Sequence, residues 1–210
     1  MKRLAILLSG RGSNFEAIAR NVSEGKLHAE IAVVVSNNPD AKGLGTAARL
    51  GLKTLCLPSK GVDTDVWAAG AVEALRPFEV DLVCLAGFMR RVGGPLLVAY
   101  AGRILNIHPS LLPSFPGLHV QQQALDYGVK YSGCTVHFVD AGLDTGAIVQ
   151  QAAVEVKDAD DADTLAARIL VEEHRIYSEA IALVLSGRFK IDGRRVVENM
   201  REAQTRTAGI

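Results

Sequence analysis

The sequence has no imbalance of charge, and it has few cysteines and few aromatic residues. Among its 210 residues, 23 are basic and 23 are acidic, so the formal net charge is zero. A neutral chain lacks the broad positive field by which many proteins bind nucleic acids or anionic membranes. No apolar run is long enough to cross a membrane. We therefore predict neither a nucleic-acid nor a membrane partner, and an anionic ligand would have to be bound by local donors.

The three cysteines, Cys56, Cys84 and Cys134, are far apart in the sequence and lie in apolar segments. Their odd number and surroundings predict reduced thiols in the core of a cytoplasmic protein. No cysteine or histidine pair has the spacing of metal ligands, so we expect no metal. The run from Met1 to Leu8 begins with basic residues but is too short for a signal peptide. With 49% hydrophobic residues, the chain can bury a sizeable core, and we expect one domain over residues 1–210.

The most informative stretch runs from Leu105 to Pro113, where an apolar segment ends abruptly at polar residues and prolines. Its start fits a buried strand, whose period of two places Asn106 and His108 on the same side. Pro109 keeps His108 extended, so we expect the imidazole at the end of a strand. Ligands of open α/β sheets bind beyond such ends, where an amide beside an imidazole could polarise a carbonyl. The equally weighted alternative is a hydrogen-bonded structural histidine.

The chain opens with a buried strand, Leu4 to Leu8, followed by Ser9–Asn14, which we call the glycine loop, and then by a helix. Its glycines let backbone N–H groups approach a ligand, and the helix N-terminus adds a positive partial charge. We therefore predict a phosphate site. The third glycine and the distal acid of the dinucleotide fingerprint are missing, so a mononucleotide fits better than NAD. The alternative is an ordinary strand-to-helix turn capped by Ser13.

Strands and helices alternate through most of the remaining chain. This alternation predicts an α/β fold with a Rossmann-like, doubly wound and mostly parallel sheet. Two later strands, with a loop between them, would extend the sheet in antiparallel fashion, and a hairpin around an Asp-Gly turn and a loose polar tail would close the chain. The predicted strands cover residues 4–8, 31–35, 53–57, 80–86, 103–107, 132–139 and 148–156, and the predicted helices cover 43–50, 63–75, 94–100, 118–127 and 163–185.

Three further features each have two interpretations. Phe88 and Met89 follow a buried strand and would either wall a pocket or pack under a helix. The loop Asp140–Gly146 is either a solvated turn, which the loop alone favours, or a means of bringing a carboxylate into a cleft. Glu173 lies within the buried stripe of the last long helix, where a carboxylate needs a partner. That partner would be a ligand amine or, with equal weight, an arginine or lysine.

Several of these motifs occur together in one family. Its members use 10-formyltetrahydrofolate as formyl donor, and the chain resembles them in order and spacing over nearly its whole length. The glycine loop, Leu85-Ala86-Gly87-Phe88-Met89-Arg90 and Glu173-His174 narrow the resemblance to the branch that formylates glycinamide ribonucleotide in purine biosynthesis. The family signature itself consists of Asn106-Ile107-His108-Pro109-Ser110-Leu111-Leu112-Pro113, Gly133-Cys134-Thr135-Val136-His137-Phe138-Val139 and Leu143-Asp144-Thr145-Gly146. So many motifs in the correct order make a chance match far rarer than for one short pattern.

The resemblance implies a role for each part of the site. It divides the domain into a phosphate-binding half, about residues 1–100, and a catalytic and folate-binding half, about residues 101–210. The catalytic residues would be Asn106, His108 and Asp144. The nucleotide would be bound by Gly12, Ser13, Asn14 and Glu173. The folate would contact Met89, Arg90, Arg91, Val92, Asn106, Asp140, Ala141, Gly142, Leu143 and Asp144.

The mechanism expected from this resemblance is direct attack of the substrate amine on the formyl carbon, through a tetrahedral intermediate. Asn106 and a protonated His108 would donate to its negative oxygen, and Asp144 would favour the imidazolium. The partners would be two small molecules, without a metal, and the protein would be a monomer or homodimer. There are three alternatives. A formyltetrahydrofolate hydrolase would be expected to carry an extra N-terminal domain, and a methionyl-tRNA formyltransferase would be expected to carry an extra C-terminal domain. The third alternative is a nucleotide-binding module without catalytic activity.

Overall fold

The computed structural model describes residues 1–199 of the chain. Within these residues nine strands form one sheet, and six α-helices and a 3₁₀ turn at Arg76–Phe78 connect them. The predicted polar tail lies beyond this range, apart from Asn199. The strands are β1 (Arg3–Leu8), β2 (Glu30–Ser36), β3 (Thr54–Cys56), β4 (Leu82–Leu85), β5 (Ile104–His108), β6 (Tyr131–Phe138), β7 (Ile148–Glu155), β8 (Phe189–Asp192) and β9 (Arg195–Glu198). The helices are α1 (Ser13–Ser23), α2 (Lys42–Arg49), α3 (Thr64–Leu75), α4 (Gly94–Ala99), α5 (Val120–Tyr127) and α6 (Ala162–Ser186).

The strand order is β3-β2-β1-β4-β5-β6-β7-β9-β8. Strands β1 to β5 are parallel, β6 pairs antiparallel with β5, and β7 pairs antiparallel with β6. The predicted mostly parallel sheet with an antiparallel extension is therefore confirmed. The closing hairpin also forms, but Asp192 still pairs with Arg195, so its turn is Gly193-Arg194 rather than Asp-Gly.

Helices cover both faces of the sheet, as expected for parallel strands whose two faces are buried. Side chains of β1 alternate between two cores: Leu4, Ile6 and Leu8 pack with α1 and α6, whereas Ala5 and Leu7 pack with α3 and α4. The continuous apolar run that predicts this strand reflects burial on both sides. The long helix α6 begins with a capping box between Asp161 and Thr164 and ends at Gly187 in the left-handed conformation.

The prediction that all three cysteines are core thiols is wrong for one of them. Cys84 and Cys134 are buried, but Cys56 is exposed, because β3 is a short strand at the edge of the sheet with one open side. None of the helices within residues 1–199 combines the length and the apolar character needed to span a membrane. The same residues bring together no group of three or more His, Cys, Asp or Glu side chains that could hold a metal ion.

Gly133 on β6 lies against the backbone of β7, and a substitution there tests the antiparallel extension. A Cβ at this position would be 1.9 Å from the Ala152 carbonyl oxygen, which cannot move without breaking the strand pair. We expect Gly133→Ala to lower the free energy of unfolding by about 3 kcal/mol or more, measured by urea denaturation. Gly70→Ala is the control, because its Cβ meets nothing within 4 Å on α3. The control should be neutral or slightly stabilising, and a Gly133→Ala protein as stable as the control would contradict the strand pairing.

Candidate active site

Two loops meet where the order of the parallel strands reverses. β1 lies between β2 and β4, so the carboxyl ends of β1 and β4 flank the crevice in which open α/β sheets bind ligands. The glycine loop follows β1, and Gly87–Val92, which we call the β4 loop, lies just beyond β4. The Ser9 N–H donates to the Gly87 carbonyl at 3.0 Å. The two loops are therefore joined directly by backbone.

The glycine loop ends at a helix start that has room for an anion. Gly12 is the N-cap of α1 with φ 85°, a conformation that favours glycine. A Cβ on Gly12 would lie 3.0 Å from the Cα of Gly43, so a side chain would crowd α2. Within the described structure no side chain caps α1, so the interpretation as a turn capped by Ser13 is wrong. The N–H groups of the first turn therefore have no acceptor within the helix and can bind a phosphate.

Glu173 on α6 faces the glycine loop. Asn14 Nδ2 donates to Glu173 Oε2 at 2.6 Å, and both side chains are buried. Burial raises the pKa of Glu173, and the hydrogen bond from Asn14 opposes this rise. The expected alternative of an ion pair is wrong, since no arginine or lysine in residues 1–199 forms a salt bridge with Glu173. Asn14 Oδ1 also lacks a partner in this region, so acceptors remain for a ligand amine or hydroxyl.

Asn106 is oriented by a histidine on the neighbouring strand. Asn106 pairs with His137 across β5 and β6, and its Nδ2 lies 3.2 Å from His137 Nε2. His137 Nδ1 lies 2.8 Å from the Phe138 carbonyl, which can only accept, so Nδ1 carries the proton and Nε2 accepts from Asn106. Burial lowers the pKa of His137, which keeps the ring neutral. The amide of Asn106 is thereby fixed with its second N–H left for a ligand.

Sequence reasoning missed the role of His137. The alternation of polar and apolar residues predicts its strand, and the family signature includes it, but neither gives it a partner. That partner depends on the register between β5 and β6, which a single sequence does not specify. His137 is a positioning residue for Asn106.

His108 lies between two acceptors. Its Nε2 is 3.0 Å from the Phe115 carbonyl, and its Nδ1 is 3.6 Å from Asp144 Oδ2, within ion-pair distance. The carbonyl requires a proton on Nε2, and the carboxylate favours a second proton on Nδ1. Only 6% of the His108 side chain is exposed, so little water competes with either partner. The ring is therefore held between these two groups.

Asp144 enters the cleft through an uncommon backbone conformation. Its φ of 54° is one that residues other than glycine rarely adopt. Its Oδ2 also accepts from Gly117 N at 3.0 Å, and the side chain is 13% exposed. The solvated-turn interpretation is therefore wrong for Asp144. It describes Asp140 instead, whose Oδ1 accepts from Gly142 N and from Thr145 Oγ1 within its own loop.

The loop after β5 holds the Phe115 carbonyl against His108. The single hydroxyl proton of Ser110 is shared between the Ser114 carbonyl, 2.7 Å from Oγ, and that same Phe115 carbonyl, 3.0 Å from Oγ. Thr135 Oγ1 donates to the Ser110 carbonyl at 2.7 Å and accepts from Leu112 N at 3.0 Å. Ser110 and Thr135 are fully buried. The position of the His108 ring thus depends on buried hydroxyl groups in β6 and in the loop.

A cavity of about 610 Å³ opens beside these side chains. Its walls include the whole β4 loop, the segment Gly117–Gln121 and the segment Val139–Asp144. His108 and His137 also line it. Every residue that the resemblance assigns to folate lies on this cavity: Met89, Arg90, Arg91, Val92, Asn106, Asp140, Ala141, Gly142, Leu143 and Asp144.

The sequence predicts that Phe88 and Met89 either wall a pocket or pack under a helix, and each interpretation holds for part of the β4 loop. Phe88 is buried, with its ring 5.4 Å from that of Trp67 on α3, yet it also lines the cavity. Met89 is 70% exposed, and Leu143 in the opposite loop is 59% exposed. Large apolar side chains of this kind gain stability when a ligand covers them. The cavity therefore offers apolar contacts beside the polar group formed by Asn106 and His108.

Comparison with known proteins identifies relatives over nearly the whole chain. Residues 2–181 match the family described as formyl transferase. The phosphoribosylglycinamide formyltransferase of Bacillus subtilis (strain 168) is 42% identical over 186 residues, which are 88% of this chain and 95% of that protein. The trifunctional purine biosynthetic protein adenosine-3 of Drosophila melanogaster is 47% identical over 190 residues, which are 89% of this chain but 14% of that protein. The chain thus spans a small part of this trifunctional relative.

The fold agrees with solved structures as well. The crystal structure of glycinamide ribonucleotide transformylase 1 from Symbiobacterium toebii superimposes with a TM-score of 0.92 at 51% identity. The match covers 94% of this chain and 94% of that chain. Agreement of this extent supports the fold of the chain as a whole.

The raised pKa of Glu173 predicts how stability depends on pH. A carboxyl whose pKa is higher in the folded protein than its ordinary value of 4.5 binds its proton more tightly when folded. Its contribution to the free energy of unfolding is fully present below pH 4.5 and is lost as the pH rises through the raised pKa of the folded protein. We expect Glu173→Gln to remove this loss, so the variant should gain stability relative to wild type between acid and neutral pH. Urea unfolding across that range measures the difference.

Glu24→Gln is the control for this comparison. Lys26 lowers the pKa of the exposed Glu24 carboxyl. Removing this carboxyl therefore cannot raise the free energy of unfolding relative to wild type as the pH rises. Parallel curves for wild type and Glu173→Gln would contradict the burial of an ionisable Glu173.

Proposed function

This chain belongs to the formyl transferase family, and we propose that it transfers the formyl group of 10-formyltetrahydrofolate to the amine of glycinamide ribonucleotide in purine biosynthesis. The observation that carries the proposal is the convergence of an amide, an imidazole and a carboxylate, those of Asn106, His108 and Asp144, on one ligand-sized cavity. The choice of nucleotide is supported by the Bacillus subtilis relative, which the chain matches over 95% of its length.

The nucleotide binds at the glycine loop and α6. Its phosphate accepts hydrogen bonds from the backbone N–H groups of Gly12, Ser13 and Asn14 at the positive end of α1. Glu173, which has no cationic partner in the described structure, holds the amine or a ribose hydroxyl. A buried carboxyl of this kind is stabilised when a ligand donor satisfies it.

The folate binds in the cavity beside β5. A volume of about 610 Å³ lies in the range of small-molecule sites. Met89, Val92 and Leu143 supply apolar contacts, and the backbone groups of the β4 loop and of the segment Val139–Asp144 supply donors and acceptors. These features fit a flat heterocycle with polar edges. The cosubstrate supplies an activated formyl carbon, and the residues of this chain orient it.

The reaction makes a C–N bond to the amine and breaks the C–N bond to folate. Negative charge develops on the formyl oxygen as the amine adds, in a tetrahedral intermediate. The free N–H of Asn106 donates to this oxygen, and the positive charge of a protonated His108 stabilises it. Asp144 keeps His108 cationic and, through a water molecule, passes the amine proton to the departing folate nitrogen. Neither a covalent enzyme intermediate nor a metal has a role in this proposal.

The deciding experiment mixes purified protein with 10-formyltetrahydrofolate and follows tetrahydrofolate by absorbance, with and without glycinamide ribonucleotide. We expect consumption that depends on the ribonucleotide and yields its formyl derivative. Consumption at the same rate without the nucleotide, with release of formate, would identify a hydrolase. Binding of both ligands without turnover would identify a non-catalytic module.

Alanine substitutions test the catalytic group. Asn106→Ala, His108→Ala and Asp144→Ala should each lower kcat by about a hundredfold or more, as removal of an oxyanion donor typically does. Because the residues act on one intermediate, the Asn106→Ala/His108→Ala pair should lose far less than the product of the single losses. Steady-state kinetics with both substrates varied provide the measurement.

His28→Ala is the control and should retain the wild-type kcat, because His28 is exposed and precedes the amino end of β2, whereas the crevice lies at the carboxyl ends of the parallel strands. Strictly multiplicative losses in the double variant would show that Asn106 and His108 act independently. A wild-type rate for Asp144→Ala would remove Asp144 from the mechanism.

A further inference from the structure

The β4 loop is held by a chain of polar side chains outside the cavity lining. Ser9 Oγ accepts from Met89 N at 2.7 Å and donates to Asn37 Oδ1 at 2.6 Å. Asn37 Nδ2 then donates to Ser59 Oγ at 2.9 Å. The backbone carbonyl of Ser59 accepts from Arg90 Nη1 at 3.1 Å. The chain starts and ends at consecutive residues of the β4 loop.

Each polar atom in this chain has a defined direction. Ser9 Oγ has one proton, which it gives to Asn37, so its lone pairs are what hold the Met89 N–H. Asn37 accepts with its oxygen and donates with its nitrogen, so its amide links the hydroxyl of Ser9 to that of Ser59. Ser59 is buried, and Ser9 and Asn37 are partly buried. A hydrogen-bonded chain of this kind rigidifies what it joins.

Arg90 completes the support with its guanidinium group. In addition to the Ser59 carbonyl, it donates to the Val62 carbonyl at 2.7 Å and lies 5.7 Å from the centre of the Trp67 ring. These contacts hold the Arg90 side chain against Ser59 and Val62, in the loop that precedes α3, and against Trp67 on α3. The Arg90 side chain therefore braces the β4 loop, and its backbone is what remains to contact a ligand.

We propose that Ser9, Asn37 and Ser59 are positioning residues for folate binding, so that a side chain of the glycine loop sets affinity at the other ligand site. This inference rests on the proposed function, because it takes folate as the occupant of the cavity. Ser9 lies in the same loop as the phosphate donors, but its hydroxyl is committed to Met89 and Asn37. The loop thus serves both ligands through different residues.

Substitution of Ser9 is therefore expected to weaken folate binding without weakening nucleotide binding. Ser9→Ala removes the acceptor of the Met89 N–H and leaves Asn37 Oδ1 unpaired, so we expect the Kd for tetrahydrofolate to rise about tenfold. The Kd for glycinamide ribonucleotide should change less than twofold. Ser13→Ala is the matched control in the same loop, because Met89 and Asn37 are bonded to Ser9 and not to Ser13, and its Kd for tetrahydrofolate should change less than twofold. Asn37→Asp keeps the acceptor for Ser9 but loses the donor to Ser59, so it should weaken folate binding less than Asn37→Ala.

The experiment is calorimetric titration of each purified variant with tetrahydrofolate and, separately, with glycinamide ribonucleotide. Amide hydrogen exchange at Met89 is measured in the same proteins without ligand, and it should accelerate in Ser9→Ala but not in Ser13→Ala. Equal weakening of both ligands by Ser9→Ala, or unchanged folate binding, would overturn the inference. A wild-type protein that binds no tetrahydrofolate would overturn the proposed function and this inference together. Binding by wild type and by Ser9→Ala with the same Kd overturns the inference alone.

Discussion

The active site depends on the antiparallel pairing of β5 with β6. This register puts Asn106 opposite His137 and His108 opposite Thr135. A slip of β6 by one residue would turn the side chains of His137 and Thr135 to the opposite face of the sheet, where α6 packs, and away from Asn106 and His108. The carboxylate, the carbonyl and the cavity walls come from loops that this pairing holds in place. The candidate site thus depends on the antiparallel extension, since a sixth parallel strand would place different residues beside Asn106.

Backbone strain is concentrated in the loops that complete the site. Four residues other than glycine have positive φ within residues 1–199, and three of them, Phe115, His119 and Asp144, lie on the loops around His108. Each such conformation costs about 1–3 kcal/mol and persists only when its surroundings fix it. For Asp144 those surroundings include the N–H of Gly117, and for Phe115 they include the hydroxyl of Ser110. Strain at these positions orients a carboxylate and a carbonyl toward one imidazole.

Local patterns predict the fold and part of the site from the sequence. The two-residue period of a strand is enough to predict that Asn106 and His108 lie on the same side. The apolar runs of β1 and β4 predict strands that are buried on both faces. The partner of Glu173 could not be predicted in this way, because Asn14 is 159 residues away and meets it only through packing of α1 on α6. The exposure of Cys56 depends on the position of β3 at the edge of the sheet. Local patterns do not distinguish Asp140 from Asp144; the family resemblance selects Asp144, and the backbone conformation of Asp144 brings its carboxylate to His108.

Glu173, which is buried, and Asp144, which is partly buried, differ in the partners of their carboxylates, and this difference matches their proposed tasks. Asp144 has a histidine and a backbone N–H beside it, so its carboxylate has partners before any ligand arrives. Glu173 has a single neutral amide, which compensates a buried charge incompletely. A ligand donor would complete that compensation, so part of the free energy of substrate binding would come from the incomplete pairing in the free protein. An arginine beside Glu173 would stabilise the fold and remove that contribution.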